Sequence, residues 1–96
     1  MKKKDQFNYN YAFLFYDVGE KRVNKVFKIC KKYFKHHQKS VFRGHIRPAD
    51  IIALRNELRR VIDEEYDSIS IIKFISVNDF DEETLGKESD SESIFI

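Results

Sequence analysis

One acidic side chain, Asp17, stands where an apolar segment of the sequence gives way to a basic one. Asp17 ends the run YAFLFYD, and Lys21 and Arg22 follow within a few residues. A carboxylate beside cations can hold a divalent ion against a phosphate, because Mg²⁺ prefers hard oxygen ligands. The competing interpretation is structural, since Asp17 and Glu20 have the Asp-x-x-Glu spacing of a capping box. On residue types alone, the cap is the better-supported role.

Basic side chains recur with helical spacing directly after Asp17. The lysines that share this spacing are Lys21, Lys25, Lys28, Lys32 and Lys35. Most lysine stripes are simply the solvated face of a helix. Here almost no acidic residue compensates them, which favours phosphate binding, and Arg22 is suited to a bidentate contact. The predicted nucleic-acid-binding residues are therefore Lys21, Arg22, Lys25, Lys28 and Lys32.

Histidine and serine are weaker candidates for chemistry. His36 and His37 are adjacent, so in a strand they point to opposite faces, and with His45 they lack the spacing of a zinc site. Ser40 has no recognisable base partner, so the sequence does not support nucleophilic catalysis. A catalytic hypothesis therefore rests on Asp17, beside which the sequence places no second acid or general base.

Hydrophobic spacing predicts the elements that position these residues. Residues 11–16 form an apolar run, which is typical of a central strand buried on both faces. A helix is predicted over residues 20–33, with an apolar stripe that comprises Val23, Val26, Phe27, Cys30 and Phe34. Residues 36–46 are predicted to form two short strands, with Gly44 in a turn or bulge.

The second half of the chain repeats the alternation of helix and strand. Arg47-Pro48 predicts the start of a helix, since proline is well tolerated in a first turn. Its apolar stripe comprises Ile51, Leu54, Leu58, Val61 and Ile62, and residues 68–77 form the last predicted strand. This order is that of an α+β, ferredoxin-like βαββαβ sandwich. Its open apolar sheet face, on so small a domain, predicts a homodimer.

Composition and charge narrow the classes of function. The chain has 96 residues, of which 42% are hydrophobic and 35% charged, as expected for one globular domain. We expect a polar lead-in over residues 1–10, the domain over 11–77 and an acidic segment over 78–96. Residues 1–47 contain 13 Lys and Arg against three Asp and Glu, whereas residues 48–96 contain five against 13. The basic half is typical of a nucleic-acid-binding surface.

Cysteine usage and hydropathy indicate the compartment. A single cysteine, Cys30, excludes an internal disulfide and favours a reducing environment. No apolar run reaches the roughly 18 residues that a membrane span requires, and the first residues lack a signal-peptide core. We therefore expect a cytoplasmic protein with no membrane partner.

Several of these segments together resemble the small CRISPR-associated adaptation proteins, a ribonuclease-like family that works beside the CRISPR integrase. The residues that carry the resemblance are Tyr16-Asp17-Val18, Glu20-Lys21-Arg22-Val23 with Lys25-Val26, Gln38-Lys39-Ser40-Val41-Phe42-Arg43-Gly44, and Leu85-Gly86-Lys87. The resemblance covers nearly the whole chain from Tyr11 onward.

The resemblance implies a symmetric homodimer in which a C-terminal strand crosses onto the partner's sheet. Such a strand would account for the apolar terminus Ile94, Phe95 and Ile96, which we assign to the dimer interface. Phe42 belongs to the core or to the dimer interface, and we assign it to the interface. The resemblance also implies that Asp17 meets its symmetry mate near the dimer axis and that the two carboxylates share a magnesium ion. Asp17 is then both the metal ligand and the catalytic residue. This role, and not that of a helix cap, becomes the favoured interpretation of Asp17.

Three function hypotheses remain open. The leading one is a dimeric adaptation protein that binds double-stranded DNA and bridges subunits of the CRISPR integrase. The second is a magnesium-dependent endonuclease that cleaves RNA or DNA, with single-stranded RNA as a further partner. The third ignores the resemblance and is a ferredoxin-like regulatory or protein-interaction module without catalysis. Salt-sensitive DNA binding separates the third from the others, because phosphate binding weakens steeply as salt rises.

Overall fold

The computed structural model describes residues 8–86 of the chain. Over that range, four strands and two helices alternate in the predicted order. They are β1 (Tyr11–Asp17), α1 (Val23–Lys31), β2 (Lys35–Gln38), β3 (Val41–His45), α2 (Pro48–Arg59) and β4 (Ser68–Phe74), and a 3₁₀ turn (Val77–Asp79) follows. The terminal residues Ile94, Phe95 and Ile96, to which we assigned an exchanged strand, lie outside the described residues.

The four strands form one antiparallel sheet in the order β2-β3-β1-β4. β1 is central because it is apolar on both faces. Ala12, Leu14 and Tyr16 are buried under the two helices, whereas Phe13 and Phe15 point to the other face. The predicted α+β, ferredoxin-like fold is confirmed, and the helices cover one face of the sheet.

The hydrophobic core lies between that sheet face and the helices. Val26 of α1 and Ile51 and Leu54 of α2 are fully buried against the strands. Phe42 of β3 is also fully buried, and its ring centroid lies 5.2 Å from that of Phe27. A side chain with no accessible surface in the single chain has none to offer a partner. Our assignment of Phe42 to the dimer interface was therefore wrong, and Phe42 is a core residue.

Helix α1 begins later than the sequence predicted, at Val23 instead of Glu20. Its N-cap residue is Arg22, and no side chain caps the helix. Asp17 still belongs to β1, where it lies opposite Ser68 of β4. The predicted capping box of Asp17 and Glu20 is therefore wrong, because strand pairing holds Asp17 five residues before the N-cap.

Two strand boundaries also differ from the prediction. β4 ends at Phe74 instead of Val77, because Ser76 and Asp79 form a reciprocal capping box around the 3₁₀ turn. Gly44 lies within β3, and the turn between β2 and β3 falls at Lys39, whose φ is 44°. A register shift between His36 and Gln38 makes β2 irregular.

The open face of the sheet is only half covered within the described chain. Phe80 packs its ring against Tyr11, Phe13 and Phe74 at the end of the sheet where β1 begins. Phe15, nearer the other end, stays 37% exposed, and Ile72 of β4, which lies opposite Phe13, is 48% exposed. An uncovered apolar patch therefore remains in the middle of the open face, and Phe15 is its residue nearest Asp17.

Neither helix within residues 8–86 has the length and hydropathy that a membrane crossing requires.

Candidate functional site

Asp17 is the last residue of β1, and its side chain is exposed on the open face of the sheet. It follows Phe13 and Phe15 on that face, because alternate residues of a strand point the same way. Its cross-strand neighbour is Ser68, the first residue of β4. Asp17 therefore adjoins the uncovered apolar patch instead of the helices.

A single carboxylate per chain sets the limits of a metal site here. Among residues 8–86, no group of three or more His, Cys, Asp or Glu side chains is arranged to hold a metal ion. Mg²⁺ keeps several water ligands and needs only one or two carboxylates. The exposed Asp17 fits such a site if a second chain supplies another carboxylate across the open face.

A second carboxylate, Asp67, lies just before β4 and is fully buried. Its oxygens accept hydrogen bonds from Arg22 Nε at 2.5 Å and Arg22 Nη2 at 2.9 Å. They also accept the backbone N–H groups of Gly19 and Asp63, each at 2.8 Å. The Arg22 guanidinium and these amides hold the pKa of Asp67 well below its usual range.

This arrangement, which we call the Arg22–Asp67 fork, fixes the loop that follows Asp17. Asp67 joins that loop, through Gly19 and Arg22, to the loop that leads into β4. Gly19 leaves room for the guanidinium, since a Cβ at this position would lie 2.5 Å from Arg22 Nη2. Arg22 was predicted to contact phosphate. In the structure two of its nitrogens bind Asp67, so its first role is structural, while the phosphate contact stays a prediction.

The predicted lysines remain on the surface. Lys21 lies in the turn before α1, and Lys25 and Lys28 are exposed on the helix. Lys32, at the end of α1, donates to Glu57 of α2. Among residues 8–86, no acidic side chain forms an ion pair with Lys21, Lys25 or Lys28. The structure thus leaves three of the predicted cations available for an anionic ligand.

His36 and His37 make contacts within the fold. The ring of His36 packs against those of Phe27 and Phe42, with centroids at 4.9 and 5.0 Å. His37 lies 3.5 Å from Glu82, which also pairs with Arg43.

Asp67 is the residue that sequence reasoning missed. It follows the acidic run Asp63-Glu64-Glu65. Asp67 directly precedes an apolar strand as Asp17 directly ends one, and the pairing of β1 with β4 puts both carboxylates at the same end of the sheet. That signal could have identified a second carboxylate, but not its pairing with Arg22.

The chain is similar to proteins of one family. The family model described as "CRISPR associated protein Cas2" matches residues 10–82. The CRISPR-associated endoribonuclease Cas2 of Thermotoga maritima is 44% identical over 78 residues, which are 81% of this chain and 90% of that protein. The protein of the same name from Pyrococcus furiosus is 40% identical over 78 residues, covering 81% and 89%.

Solved structures give the same relationship. A crystal structure of Cas2 superposes with a TM-score of 0.76 at 35% identity, covering 83% of this chain and 90% of the other. The crystal structure of Streptococcus pyogenes Cas2 at pH 6.5 gives a TM-score of 0.67 at 31% identity, covering 79% and 99%.

Proposed function

Because this chain belongs to the CRISPR-associated protein Cas2 family, we propose that it is a CRISPR adaptation protein with endonuclease activity at paired Asp17 residues. In this proposal two chains form a homodimer that binds double-stranded DNA and works beside the CRISPR integrase. The relatives in Thermotoga maritima and Pyrococcus furiosus are named endoribonucleases, which supports RNA as a further substrate. The observation that carries the proposal is the exposed position of Asp17 beside an uncovered apolar patch.

The dimer is supported by the half-covered open face. Phe15 and Ile72 expose apolar surface there, and a second copy of the chain would bury it. In a symmetric interface only the residues at the two-fold axis meet their own symmetry mates. Asp17 lies on the same face as Phe15, and in this proposal the axis passes beside it, so that the two Asp17 carboxylates come together.

Nucleic-acid binding is supported by the cations around Asp17. Lys21, Lys25 and Lys28 are exposed, and each could bind a phosphate oxygen without first breaking an ion pair with a described residue. Such contacts position a nucleic acid without reading its sequence. They would hold a phosphodiester group against the edge of the sheet where β1 ends.

The paired carboxylates would hold one Mg²⁺ ion. When bound, this ion supplies neutralisation of phosphate charge and activation of water. The protein's own contribution is to orient the substrate. The lysines bind the phosphates, the Arg22–Asp67 fork keeps the loop after Asp17 in place, and strand pairing with Ser68 fixes the backbone of Asp17.

A nuclease assay on the purified chain tests this proposal. Labelled RNA and DNA are incubated with Mg²⁺ and, separately, with a chelator. We expect Asp17→Asn to lower the Mg²⁺-dependent rate by about 100-fold or more, since it removes the ligand charge from both halves of the site. Nucleic-acid affinity should change little, because the lysines are untouched.

Asp81→Asn is the matched control, because Asp81 is an exposed acid with the same charge change. Cleavage by Asp17→Asn at the parent's rate would refute the catalytic role. Nucleic-acid binding that persists in the absence of any Mg²⁺-dependent cleavage would favour an adaptation protein without hydrolysis. Absence of salt-sensitive binding would favour the interaction module.

A further inference from the structure

A second concave site lies at the end of the sheet opposite Asp17. It is a cleft of about 580 Å³ where β2 begins and β3 ends. We call it the far cleft, and its basic lining residues are Lys31, Lys32, Lys35, Arg43 and His45. Tyr11 and Tyr33 contribute aromatic walls. Because β1 rises about 3.3 Å per residue, the far cleft lies roughly 20 Å from Asp17.

Two cations of the far cleft lie where their repulsion destabilises the fold. Lys35 of β2 and Arg43 of β3 are direct cross-strand partners, so two positive side chains share one position of the sheet. Like charges in this arrangement destabilise a pair of strands. Glu82 and the ring of Phe13 offset part of this cost at Arg43, whereas no described acid forms an ion pair with Lys35.

Acidic side chains elsewhere in the chain neutralise only part of the positive charge of the far cleft. Glu57 accepts from Lys32, and Glu82 pairs with Arg43. Within residues 8–86, none of the residues lining the far cleft is acidic. Lys31 and Lys35 are exposed, and no ion pair with a described acid neutralises either one. The cleft therefore keeps a net positive charge.

Helix stabilisation explains only part of this charge. Lys31 lies in the last turn of α1, where a cation interacts favourably with the carbonyl end of the helix. Lys35 and Arg43 lie in strands and gain nothing from that dipole. His45 faces Tyr11 edge-on at 5.0 Å between ring centroids, and its side chain is exposed. Together, these residues could bind an anionic group.

The shape of the far cleft favours an unpaired nucleotide over a duplex. A row of exposed lysines, which comprises Lys21 in the turn before α1 and Lys25 and Lys28 on the helix, can contact the phosphates of a double helix from outside. The far cleft is instead a concavity that is open to solvent on one side, and Tyr11 and Tyr33 are among its lining residues. A base stacked within a duplex cannot enter such a cleft, whereas an unpaired one can lie beside its tyrosines.

We propose that the far cleft binds the phosphate and base of an unpaired nucleotide, at a single-stranded portion of the nucleic acid that the lysines of α1 hold. This inference rests on the proposed function, because it assumes that α1 binds nucleic acid. The far cleft would then anchor a strand about 20 Å away from the Asp17 end of the sheet.

The test compares two charge reversals on two probes. Fluorescence anisotropy measures binding of a labelled oligo(dT) of about 12 nucleotides and of a hairpin duplex of similar length at one fixed salt concentration. Lys35→Glu removes a cation from the far cleft, and Lys25→Glu makes the same charge change on α1. Lys35→Glu should not lower the melting temperature, because glutamate gives Arg43 an oppositely charged neighbour.

We expect Lys35→Glu to weaken oligo(dT) binding by about tenfold and duplex binding by only about twofold. Lys25→Glu should weaken both by similar factors. The proposal is overturned if Lys35→Glu affects both probes equally, or neither. Failure of the parent to bind the duplex would instead count against the proposed function. The difference between the oligo(dT) affinities of Lys35→Glu and Lys25→Glu concerns the far cleft alone.

Discussion

Two carboxylates, Asp17 and Asp67, show how position decides the role of an acidic residue. Both adjoin β4, since Asp17 lies opposite Ser68 and Asp67 precedes it. Asp67 is buried, and it accepts from Arg22 and from two backbone amides. Asp17 is exposed on the open face. Asp67 therefore stabilises the fold, whereas the side chain of Asp17 is accessible to a ligand.

The core position of Phe42 gives a prediction at the same scale. Phe42→Ala should lower the free energy of unfolding by about 3–5 kcal/mol, because it leaves a cavity among Tyr16, Phe27 and His36. Chemical denaturation measures this loss. Phe80→Ala, which removes a ring packed on the open face, is the comparison and should cost less. A cost for Phe42→Ala below that of Phe80→Ala would contradict the core assignment.

Single residues also mark the limit of inference from sequence. The sequence identified Asp17 and the exposed lysines because their types and spacing are local features. It could not place Phe42 correctly, since core and interface positions share the same residue type. It also suggested Arg22 for phosphate, because its partner Asp67 is 45 residues away in the chain.

At the level of elements, the Arg22–Asp67 fork joins the loop after β1 to the loop before β4. These loops flank the two strands that carry Asp17 and Ser68. From the Arg22–Asp67 fork we predict that the stability of the fold depends on pH. Because the pKa of Asp67 is depressed in the folded state, the unfolded chain takes up this proton first as pH falls. The stability that the fork contributes is present above about pH 4 and is lost progressively below it.

Asp67→Asn tests this dependence. The variant should melt roughly 10 °C lower than the parent at pH 7, since Arg22 loses its charged partner. The difference should shrink toward pH 3, because Asp67 of the unfolded parent chain then takes up a proton, which stabilises the unfolded state relative to the folded one. Thermal unfolding followed by circular dichroism measures both values. Glu64→Gln is the control in the same loop, because Glu64 is exposed. A constant difference between parent and Asp67→Asn across this range would contradict the fork's role.

The elements themselves were predictable where periodicity is strong. Strand β1, both helices and the ferredoxin-like order followed from apolar spacing. The start of α1 did not, because Asp17 and Glu20 have the local pattern of a cap while pairing with β4 keeps Asp17 in the strand. Pairing between distant strands is not encoded in the local pattern.

At the scale of the whole molecule, charge and apolar surface are partly separated. The lysines of α1 lie on the helix side of the sheet, whereas exposed apolar groups such as Phe15 and Ile72 lie on its open face. Arg43 of the far cleft is an exception, because it lies opposite Phe13 and its guanidinium stacks over that ring. A dimer formed through the open face would leave the lysines of α1 at the surface of both chains. One dimer could then bind nucleic acid on its outside while it holds the paired Asp17 residues near its axis.

The central claim is that each chain supplies half of one metal site. It is tested by unfolding equal amounts of parent and Asp17→Asn chains together, refolding them as randomly paired dimers, and measuring Mg²⁺-dependent cleavage. Parent mixed in the same way with Asp81→Asn is the control and should keep full activity. If both carboxylates are required, the activity should fall to about one quarter of the parent's, because only parent–parent dimers are active. Retention of about one half would mean that each chain acts alone, and it would contradict this account.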